Sequence, residues 1–352
     1  MANKVTGRTD TSGALTTAPL ADKSLIILGT AGDDQTANRE EKTIFSITGT
    51  NDAVAAFGTA SIASKVVRVL VSNGVDNIKG IIIPKDGEAP LADTLDATMG
   101  DKSIKMILCL DNETATISAV KDHLILAEDN DRFRYSVFAP SSDATDQTSL
   151  TNFAKSIDCS RIFVPGPALV SNNAVDMADP QVVAAGLASL IMTETDDPAL
   201  PMNGVGMNGF SGVSRVMLDA EMDALANAGV TAIYPEGTTP TVRRLVTSDI
   251  SDKVWQEGTT RFTADFVLES NEEMLRANYK RTKNVKRILN SIKDDIKINM
   301  EKFEAREIIE NWDPNTLTVT PDPDDKYGAL IDYEFDVVTP LYTITINQHM
   351  KL

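Results

Sequence analysis

The chain has 352 residues, 42% of them apolar, which is enough to fill a sizeable core in one large domain or in two. Its 33 basic and 51 acidic side chains leave a net charge of −18, which repels the phosphates of nucleic acids and anionic lipid surfaces. The longest apolar stretch, residues 182–192, is far shorter than a membrane-spanning helix. We therefore expect no nucleic acid among the partners and no membrane insertion.

Residues 1–20 lack the continuous apolar segment of a secretory signal, and their threonines and alanines predict an extended N-terminal arm. Synthesis in the cytoplasm is therefore expected. The cysteines are Cys109, inside an apolar run, and Cys159; they have neither CxxC spacing nor a neighbouring histidine. Both are predicted to be reduced thiols in the core.

From Ser24 onwards short β-type runs alternate with helix-type segments, which is the pattern of an α/β fold. The runs predicted as strands are LIILGTA (25–31), IKGIIIP (78–84), SIKMILCL (103–110), RFRYSVFAP (132–140) and RIFVPG (161–166). The shortest of them are almost wholly apolar, as strands buried on both faces are. The prediction is a mixed, partly parallel sheet in an α/β body over residues 21–250.

The second half of this body is more irregular. A helix of small residues is predicted over residues 181–192, and a long ordered loop over residues 196–214. A further helix begins near Leu218 and stops at Gly229, which suits the left-handed position after a helix end.

The composition changes after Ile250, so residues 251–352 are predicted to form a C-terminal α+β domain with an extended terminal arm. A long charged helical region, 272–310, comes first, and strand-like sequence follows from residue 328. The apolar residues that alternate with acidic residues or threonines in these strands are Ile331, Tyr333, Phe335, Val337, Tyr342, Ile344 and Ile346. Two strands alone are marginally stable, so they should complete a sheet in this subunit or in a neighbour.

The patterns of catalysis are incomplete in this sequence. Residues 204–209 match G-x-G-x-x-G, but prolines precede them and no strand leads into them. The two histidines, His123 and His349, provide no base beside a nucleophile. The acidic run 321–325 lacks the spacing of a calcium loop and is predicted to be a rigid linker. The sequence therefore predicts no catalytic residue, cofactor or metal, and no enzyme.

Between Met274 and Lys293 there are seven basic residues and no acidic one, a local reversal of sign in an acidic protein. On a continuous helix, four of these residues fall within roughly 60° of arc: Arg276, Lys280, Lys283 and Arg287. The opposite face of that helix would be apolar, with Val285, Ile288, Leu289, Ile292 and Ile296. A charge run is usually a solvated face, but the reversal of sign favours an acidic protein partner.

Taken in order, these elements resemble the contractile tail sheath proteins of phages, which are also found in tailocins and related contractile injection systems. The resemblance rests on LIILGTA, on the helix TNDAVAAFG (50–58), on the small-residue helix 181–192, on the turn LANAGV (225–230) and on a long helix followed by terminal strands. No one of these motifs is specific, and their order carries the resemblance.

The resemblance implies a structural subunit, in a helical lattice of stacked rings around an inner tube, that contracts to drive the tube through a target cell envelope. Such a chain would belong to a virion tail, serve genome ejection, and be made in the host cytoplasm. Its partners would be copies of itself, the inner tail tube protein, and the baseplate and tail terminator proteins. The implied tube contacts are Arg276, Lys280, Lys283 and Arg287. The implied inter-subunit strand residues are Tyr333, Phe335, Tyr342, Ile344 and Ile346.

Alternatives stay open. Another self-assembling virion or surface-lattice protein would need no cationic inner helix, and a tail tube protein would be smaller and rich in antiparallel strands. A nucleotide-binding oxidoreductase would be built around residues 204–209. If the terminal strands link subunits more than they stabilise the body, deletion of residues 328–352 leaves a folded but unassembled monomer.

Overall fold

The computed structural model describes residues 23–37, 39–86, 89–172 and 176–342. They form two compact units, of which the body contains Lys23–Asp196, Leu200–Arg261 and the chain from Pro340, and the C-terminal unit contains Phe262–Thr339 with Asp197–Ala199. The chain passes from the body to the C-terminal unit between Arg261 and Phe262, whereas the sequence prediction put the boundary at residue 250. The predicted N-terminal arm, residues 1–20, lies outside the described residues.

The body alternates strands and helices as the sequence predicts. Its strands are β1 (Ser24–Thr30), β2 (Phe45–Ile47), β3 (Ile78–Ile83), β4 (Ile104–Cys109), β5 (Tyr135–Val137), β6 (Ile162–Phe163), β7 (Pro165–Gly166), β8 (Leu169–Ser171), β9 (Phe210–Val213), β10 (Thr231–Glu236) and β11 (Thr239–Arg244). Its helices are α1 (Thr50–Phe57), α2 (Ala63–Ser72), α3 (Pro90–Thr98), α4 (Thr114–Glu128), α5 (Gln147–Ile157), α6 (Pro180–Glu194), α7 (Asp219–Asn227) and α8 (Lys253–Gln256).

The main sheet has the strand order β2-β3-β1-β4-β5-β6, and the pairing is parallel throughout except between β2 and β3. This order confirms the predicted mixed, partly parallel sheet. Residues 25–28 of β1 are fully buried, because strands pair on both edges of β1 and helices cover the two faces of such a sheet. The main core cluster joins Ile26 of β1 to Leu124 of α4 and Leu225 of α7.

A second sheet, in the order β11-β10-β7, and a ribbon formed by β8 and β9 complete the body. The ribbon places a short strand, β9, inside the segment that the sequence predicts as a loop. The predicted helix stop is confirmed: α7 ends at Asn227, and Gly229 follows with φ +83°. A Cβ at Gly229 would lie 3.0 Å from the carbonyl oxygen of Ser248, so glycine is needed there for space as well as for backbone angle. Cys109 and Cys159 are free and buried, as predicted.

Helix α9 (Gly258–Asn278) begins in the body and continues into the C-terminal unit. The rest of that unit consists of α10 (Lys286–Ala305), β12 (Ile309–Glu310), β13 (Thr318–Pro321), β14 (Ala329–Asp332) and β15 (Asp336–Val337). Its core joins Phe266 of α9 to Phe303 of α10, whose rings meet edge to face at 5.4 Å, and also contains Met300 and Trp312. Pairs β12–β15 and β13–β14 are antiparallel.

The single helix predicted over residues 272–310 is wrong, because α9 and α10 are separate helices joined by residues 279–285. Tyr279 is buried at the end of α9, and Arg281 has φ +63°, a left-handed conformation that a helix cannot continue through. The four cations therefore do not lie on one face of a single helix. Val285, predicted to be in the apolar core, is 43% exposed.

The terminal strands also differ from the prediction in detail. The alternation of half-buried Ile331, Tyr333 and Phe335 with exposed acidic residues is present, but the segment divides between two sheets, with β14 in one and β15 in the other. The acidic run predicted as a linker forms the loop of the hairpin β13–β14, since Pro321 ends one strand and Ala329 begins the next.

Candidate interaction surfaces

The basic residues of the C-terminal unit surround the connection between α9 and α10. We call residues 279–287 the basic turn. Its exposed cationic side chains are Lys280, Arg281, Lys283, Lys286 and Arg287. They form no ion pair with any residue in the part of the chain that the structure describes. The turn therefore presents a concentrated positive charge to the outside of a protein whose net charge is −18.

Buried polar contacts hold the basic turn in place. The Oη of Tyr279 donates to Oδ2 of Asp295 at 2.6 Å, and Nδ2 of Asn278 donates to the same oxygen at 3.3 Å. Asp295 and Tyr279 are both buried, so this hydrogen bond is shielded from water and joins the end of α9 to the middle of α10. The backbone that carries the cations is thus held in place by a buried hydrogen bond between α9 and α10.

The structure places three of the four predicted tube contacts together and the fourth apart. Lys280, Lys283 and Arg287 lie on the basic turn and are exposed. Arg276 lies one turn earlier on α9, half-buried, and its Nη2 pairs with Oε2 of Glu272 at 2.7 Å. A partner would have to displace Glu272 to use Arg276 as a free cation.

Sequence reasoning missed the hairpin that lies beside the basic turn. Nδ2 of Asn284 donates to the carbonyl oxygen of Gly328 at 2.9 Å, which attaches the loop between β13 and β14 to the turn. We call residues 322–328 the hairpin tip. Within it, Oδ1 of Asp322 accepts from the backbone N–H of Asp324, and Oδ1 of Asp325 accepts from that of Tyr327, each at 2.9 Å. The cluster of prolines and aspartates at residues 321–325 and the glycine at position 328 are the signals of a turn that the sequence contains here.

Tyr333 and Phe335, predicted to lie in an inter-subunit strand, pack against the core of their own subunit. The ring of Tyr333 meets Trp312 edge to face at 6.3 Å and stacks on Phe335 at 6.2 Å. Its hydroxyl accepts from Nδ2 of Asn271 at 3.2 Å, and burial raises the pKa of Tyr333. These side chains already make contacts within their own subunit. An inter-subunit role for this segment stays a prediction, in which the backbone of the segment would pair with a neighbour.

Tyr342 is fixed on the body of its own subunit. Its Oη donates to Oε1 of Glu257, and the guanidinium of Arg244 lies 5.2 Å from the centroid of its ring. Arg244 also pairs with Glu257 at 2.8 Å. Burial, together with the Glu257 carboxylate, raises the pKa of Tyr342. The remaining strand candidates, Ile344 and Ile346, lie outside the described residues.

The glycine motif at residues 204–209 forms backbone hydrogen bonds with β11, in the second sheet of the body. The N–H of Gly204 donates to the carbonyl oxygen of Val242 at 2.9 Å, and that of Met207 donates to Pro240 at 2.8 Å. A phosphate-binding turn needs such N–H groups to point at the ligand. Open α/β sheets bind ligands at the carboxyl ends of their strands. A cleft of about 390 Å³ lies there, at the ends of β1 and β4, and none of its described lining residues belongs to the glycine motif.

Among the described residues, no three His, Cys, Asp or Glu side chains are grouped so that they could hold a metal ion. None of the described helices is both long enough and apolar enough to cross a membrane.

Comparison with known proteins identifies the C-terminal region directly. Residues 251–351 match the family model of the phage tail sheath C-terminal domain. The match begins at the first residue of the predicted C-terminal domain. No curated protein matches the chain in sequence.

The fold is similar to solved structures of sheath proteins. The sheath tail protein of Desulfitobacterium hafniense is 10% identical, with a TM-score of 0.67 over 95% of this chain and 100% of that one. The sheath tail protein of Listeria innocua is 10% identical, with a TM-score of 0.68 over 91% and 93%. The helical sheath of the anti-feeding prophage in its contracted state is 15% identical, with a TM-score of 0.72 over 99% and 98%.

These similarities confirm the resemblance on which the sequence prediction of the family rested, and they cover the body as well as the C-terminal unit. Residues 251–351 therefore match the model of the phage tail sheath C-terminal domain, and the fold is similar to that of solved tail sheath proteins along nearly the whole chain.

Proposed function

We propose that the chain is a structural subunit of a contractile tail sheath, a helical lattice of stacked rings that surrounds an inner tube and contracts to drive it through a target cell envelope. One observation carries this proposal: the fold is similar to that of the contracted helical sheath of the anti-feeding prophage over 99% of this chain and 98% of that one. Agreement along both whole chains favours the same role in the assembly over reuse of a single domain.

A structural role also fits the chemistry of the body. The N–H groups of Gly204 and Met207 in the glycine motif donate to backbone carbonyls, which argues against a nucleotide-binding oxidoreductase. His123 is buried against Arg134, where burial lowers the pKa of its imidazole to about 4, so this histidine is a poor general base near neutral pH. Both observations support a role in assembly over a catalytic one.

The basic turn is the candidate contact with the inner tube. Its cations are exposed, the turn is attached to α10 by the Tyr279–Asp295 hydrogen bond, and the cations form no ion pair with any residue that the structure describes. A single exposed ion pair contributes only about 0.2–1 kcal/mol, so one subunit would hold the tube weakly. Repeated along a lattice, such pairs add up in the extended state, yet each one is weak enough to break during contraction.

The terminal segment is the candidate link to a neighbouring subunit. Because Tyr342 is attached to Glu257 and Arg244, the chain that follows starts from a fixed point on the body. Main-chain pairing with a neighbour's sheet would keep subunits joined while their bodies move, since backbone hydrogen bonds do not depend on the orientation of side chains. A finite helical lattice has two unlike ends, so distinct baseplate and tail terminator partners should occupy them.

Negative-stain electron microscopy of the full-length protein at high concentration tests the assembly. Regular hollow tubes, wider than a single subunit, are the expected result. Persistent monomers at every concentration would contradict the proposal and would return attention to ligand binding by the body.

A charge-reversal experiment tests the tube contact and separates a sheath from another lattice protein. The probe is the inner tube protein of the same particle, polymerised and then sedimented with the full-length chain. The double variant Lys283→Glu, Arg287→Glu should co-sediment less, and its binding should depend less on salt than that of the wild type. Its matched control, Arg68→Glu with Lys155→Glu, reverses two exposed cations of the body and should bind normally. Equal co-sedimentation of the two variants would contradict the tube contact.

A further inference from the structure

Two exposed apolar side chains flank the contact between the hairpin tip and the basic turn. Tyr327 is 75% exposed and precedes Gly328, while Val285 is 43% exposed and follows Asn284. The hydrogen bond from Asn284 to Gly328 thus brings an aromatic ring and a branched aliphatic side chain to neighbouring positions on one surface.

Charges of opposite sign border this apolar pair. Val285 belongs to the basic turn, with the cations Lys280, Arg281, Lys283, Lys286 and Arg287, and Tyr327 belongs to the hairpin tip, with the carboxylates Asp322, Asp324 and Asp325. The ammonium of Lys326 lies 4.8 Å from the centroid of the Tyr327 ring. Backbone hydrogen bonds to Asp322 and Asp325 fix the tip, so the side chains do not have to be ordered on binding.

We propose that Tyr327 and Val285 form the apolar anchor of the surface by which the basic turn binds the inner tube, an inference that rests on the proposed function. Exposed charge pairs alone give weak contacts, because water and salt screen them. Protein interfaces gain most of their affinity from a few central side chains that leave water, with tyrosine common among them, and a charged rim surrounds that centre. The arrangement around Tyr327 has this organisation.

The arrangement also restricts the partner's chemistry. The tube surface should offer an apolar depression for a phenol ring, with carboxylates on the side that faces the basic turn. Carboxylates on the other side would face Asp322, Asp324 and Asp325 and be repelled. A surface with both signs therefore fixes the orientation of the subunit on the tube, which a purely basic turn would not do.

The test uses the full-length chain and sedimentation with preformed polymers of the inner tube protein. Tyr327→Ala and Val285→Ser should each weaken binding, the tyrosine variant by about tenfold. Tyr327→Phe should bind like the wild type, because the ring supplies the contact. The control is Val216→Ser, which removes an equally exposed apolar side chain, 72% exposed, from the body. Melting temperatures should be unchanged in all four variants, because the altered side chains make few contacts.

The outcomes distinguish this inference from the proposed function. If charge reversal at Lys283 and Arg287 abolishes tube binding while Tyr327→Ala leaves it intact, the anchor is disproved and the sheath function stands. If Tyr327→Ala instead prevents the chain from forming tubes by itself, the surface contacts a second copy and the inference is overturned. If the wild-type chain neither polymerises nor binds the inner tube, the proposed function fails first.

Discussion

Arg134 donates from Nη1 to Nε2 of His123 at 2.9 Å in the interior of the body. Both side chains are buried, with exposed fractions of 0% and 4%. An arginine only donates, so Nε2 accepts and the neutral imidazole carries its proton on Nδ1. The guanidinium also donates to the carbonyl oxygen of Thr98, the last residue of α3, which carries the negative end of the helix dipole, and to that of Asp101 beyond the helix.

This pair predicts that the body loses stability in mild acid. Burial and the neighbouring Arg134 lower the pKa of His123 to about 4, from about 6.5 in the unfolded chain. Between pH 6.5 and pH 4 the imidazole is therefore protonated in the unfolded state but not in the folded state. The free energy of unfolding falls as the pH drops through this range. The total effect is about 3 kcal/mol.

The variant His123→Gln checks this prediction, because glutamine can accept from Arg134 but does not titrate. Urea unfolding midpoints should fall less between pH 7 and pH 4.5 in the variant than in the wild type. Carboxylates contribute to acid unfolding in both proteins, so they cancel in the comparison. An identical fall in both proteins would show that His123 is not the responsible group.

Glu128 joins two buried arginines of the body. Its Oε2 accepts from Nε of Arg161 at 2.7 Å, and its Oε1 accepts from Nη2 of Arg261 in the first turns of α9. Glu128→Gln removes the charge and leaves both guanidinium groups with a weaker acceptor. Since the carboxylate is partly exposed, we expect a loss of about 2 kcal/mol, which is less than for a fully buried pair.

Chemical unfolding of the body measures this loss. The matched control is Glu113→Gln at the start of the same helix, where the glutamate is exposed and only the helix dipole is affected. Equal stability of the two variants would mean that Glu128 contributes no more than a surface charge.

Tyr279→Phe tests whether the basic turn is held rigid. The variant removes the 2.6 Å hydrogen bond to Asp295 and leaves a buried carboxylate with one donor fewer, at a cost of about 2 kcal/mol. Amide hydrogen exchange in residues 279–285 should therefore become faster. Tyr327→Phe is the control, because it removes a hydroxyl from an exposed side chain. Unchanged exchange in the Tyr279 variant would show that other contacts fix the turn.

The body could be predicted from the sequence because its signals are local. A strand buried on both faces appears as an unbroken apolar run, as in residues 25–28, and a helix end appears as Gly229. Pairings such as His123 with Arg134 arise only when the chain folds. Neither residue type nor spacing indicates which buried cation will meet which acceptor, so this pair could not be predicted.

The interaction surface could be predicted only in part. Composition identified the basic residues. The helical spacing of apolar residues continues across residues 279–285 and so predicted one helix. The break between α9 and α10 is fixed instead by the buried contact of Tyr279 with Asp295. Poor helix formers such as Thr282 and Asn284 indicate the break only weakly, because tertiary contacts override helix propensity. The neighbouring hairpin tip was also missed, because the sequence of its acidic run predicts a rigid linker.

The structure changes the expectation for truncation. Ile331, Tyr333 and Phe335 pack against the core cluster of the C-terminal unit, and β14 pairs with β13. Deleting residues 328–352 would remove these partly buried apolar side chains together with strands β14 and β15, and should unfold the C-terminal unit. Deleting only residues 340–352 keeps all of them and, among the described residues, removes chiefly the contacts of Tyr342 with the body.

We therefore expect the shorter deletion, and not the longer one, to give a folded chain that forms no hollow tubes. Thermal melting with limited proteolysis reports folding, and negative-stain electron microscopy reports assembly. If the 328–352 deletion melts like the full-length chain, the aromatic residues do not stabilise their own subunit as the packing indicates. If the 340–352 deletion still assembles, main-chain links between subunits must come from a segment other than residues 340–352.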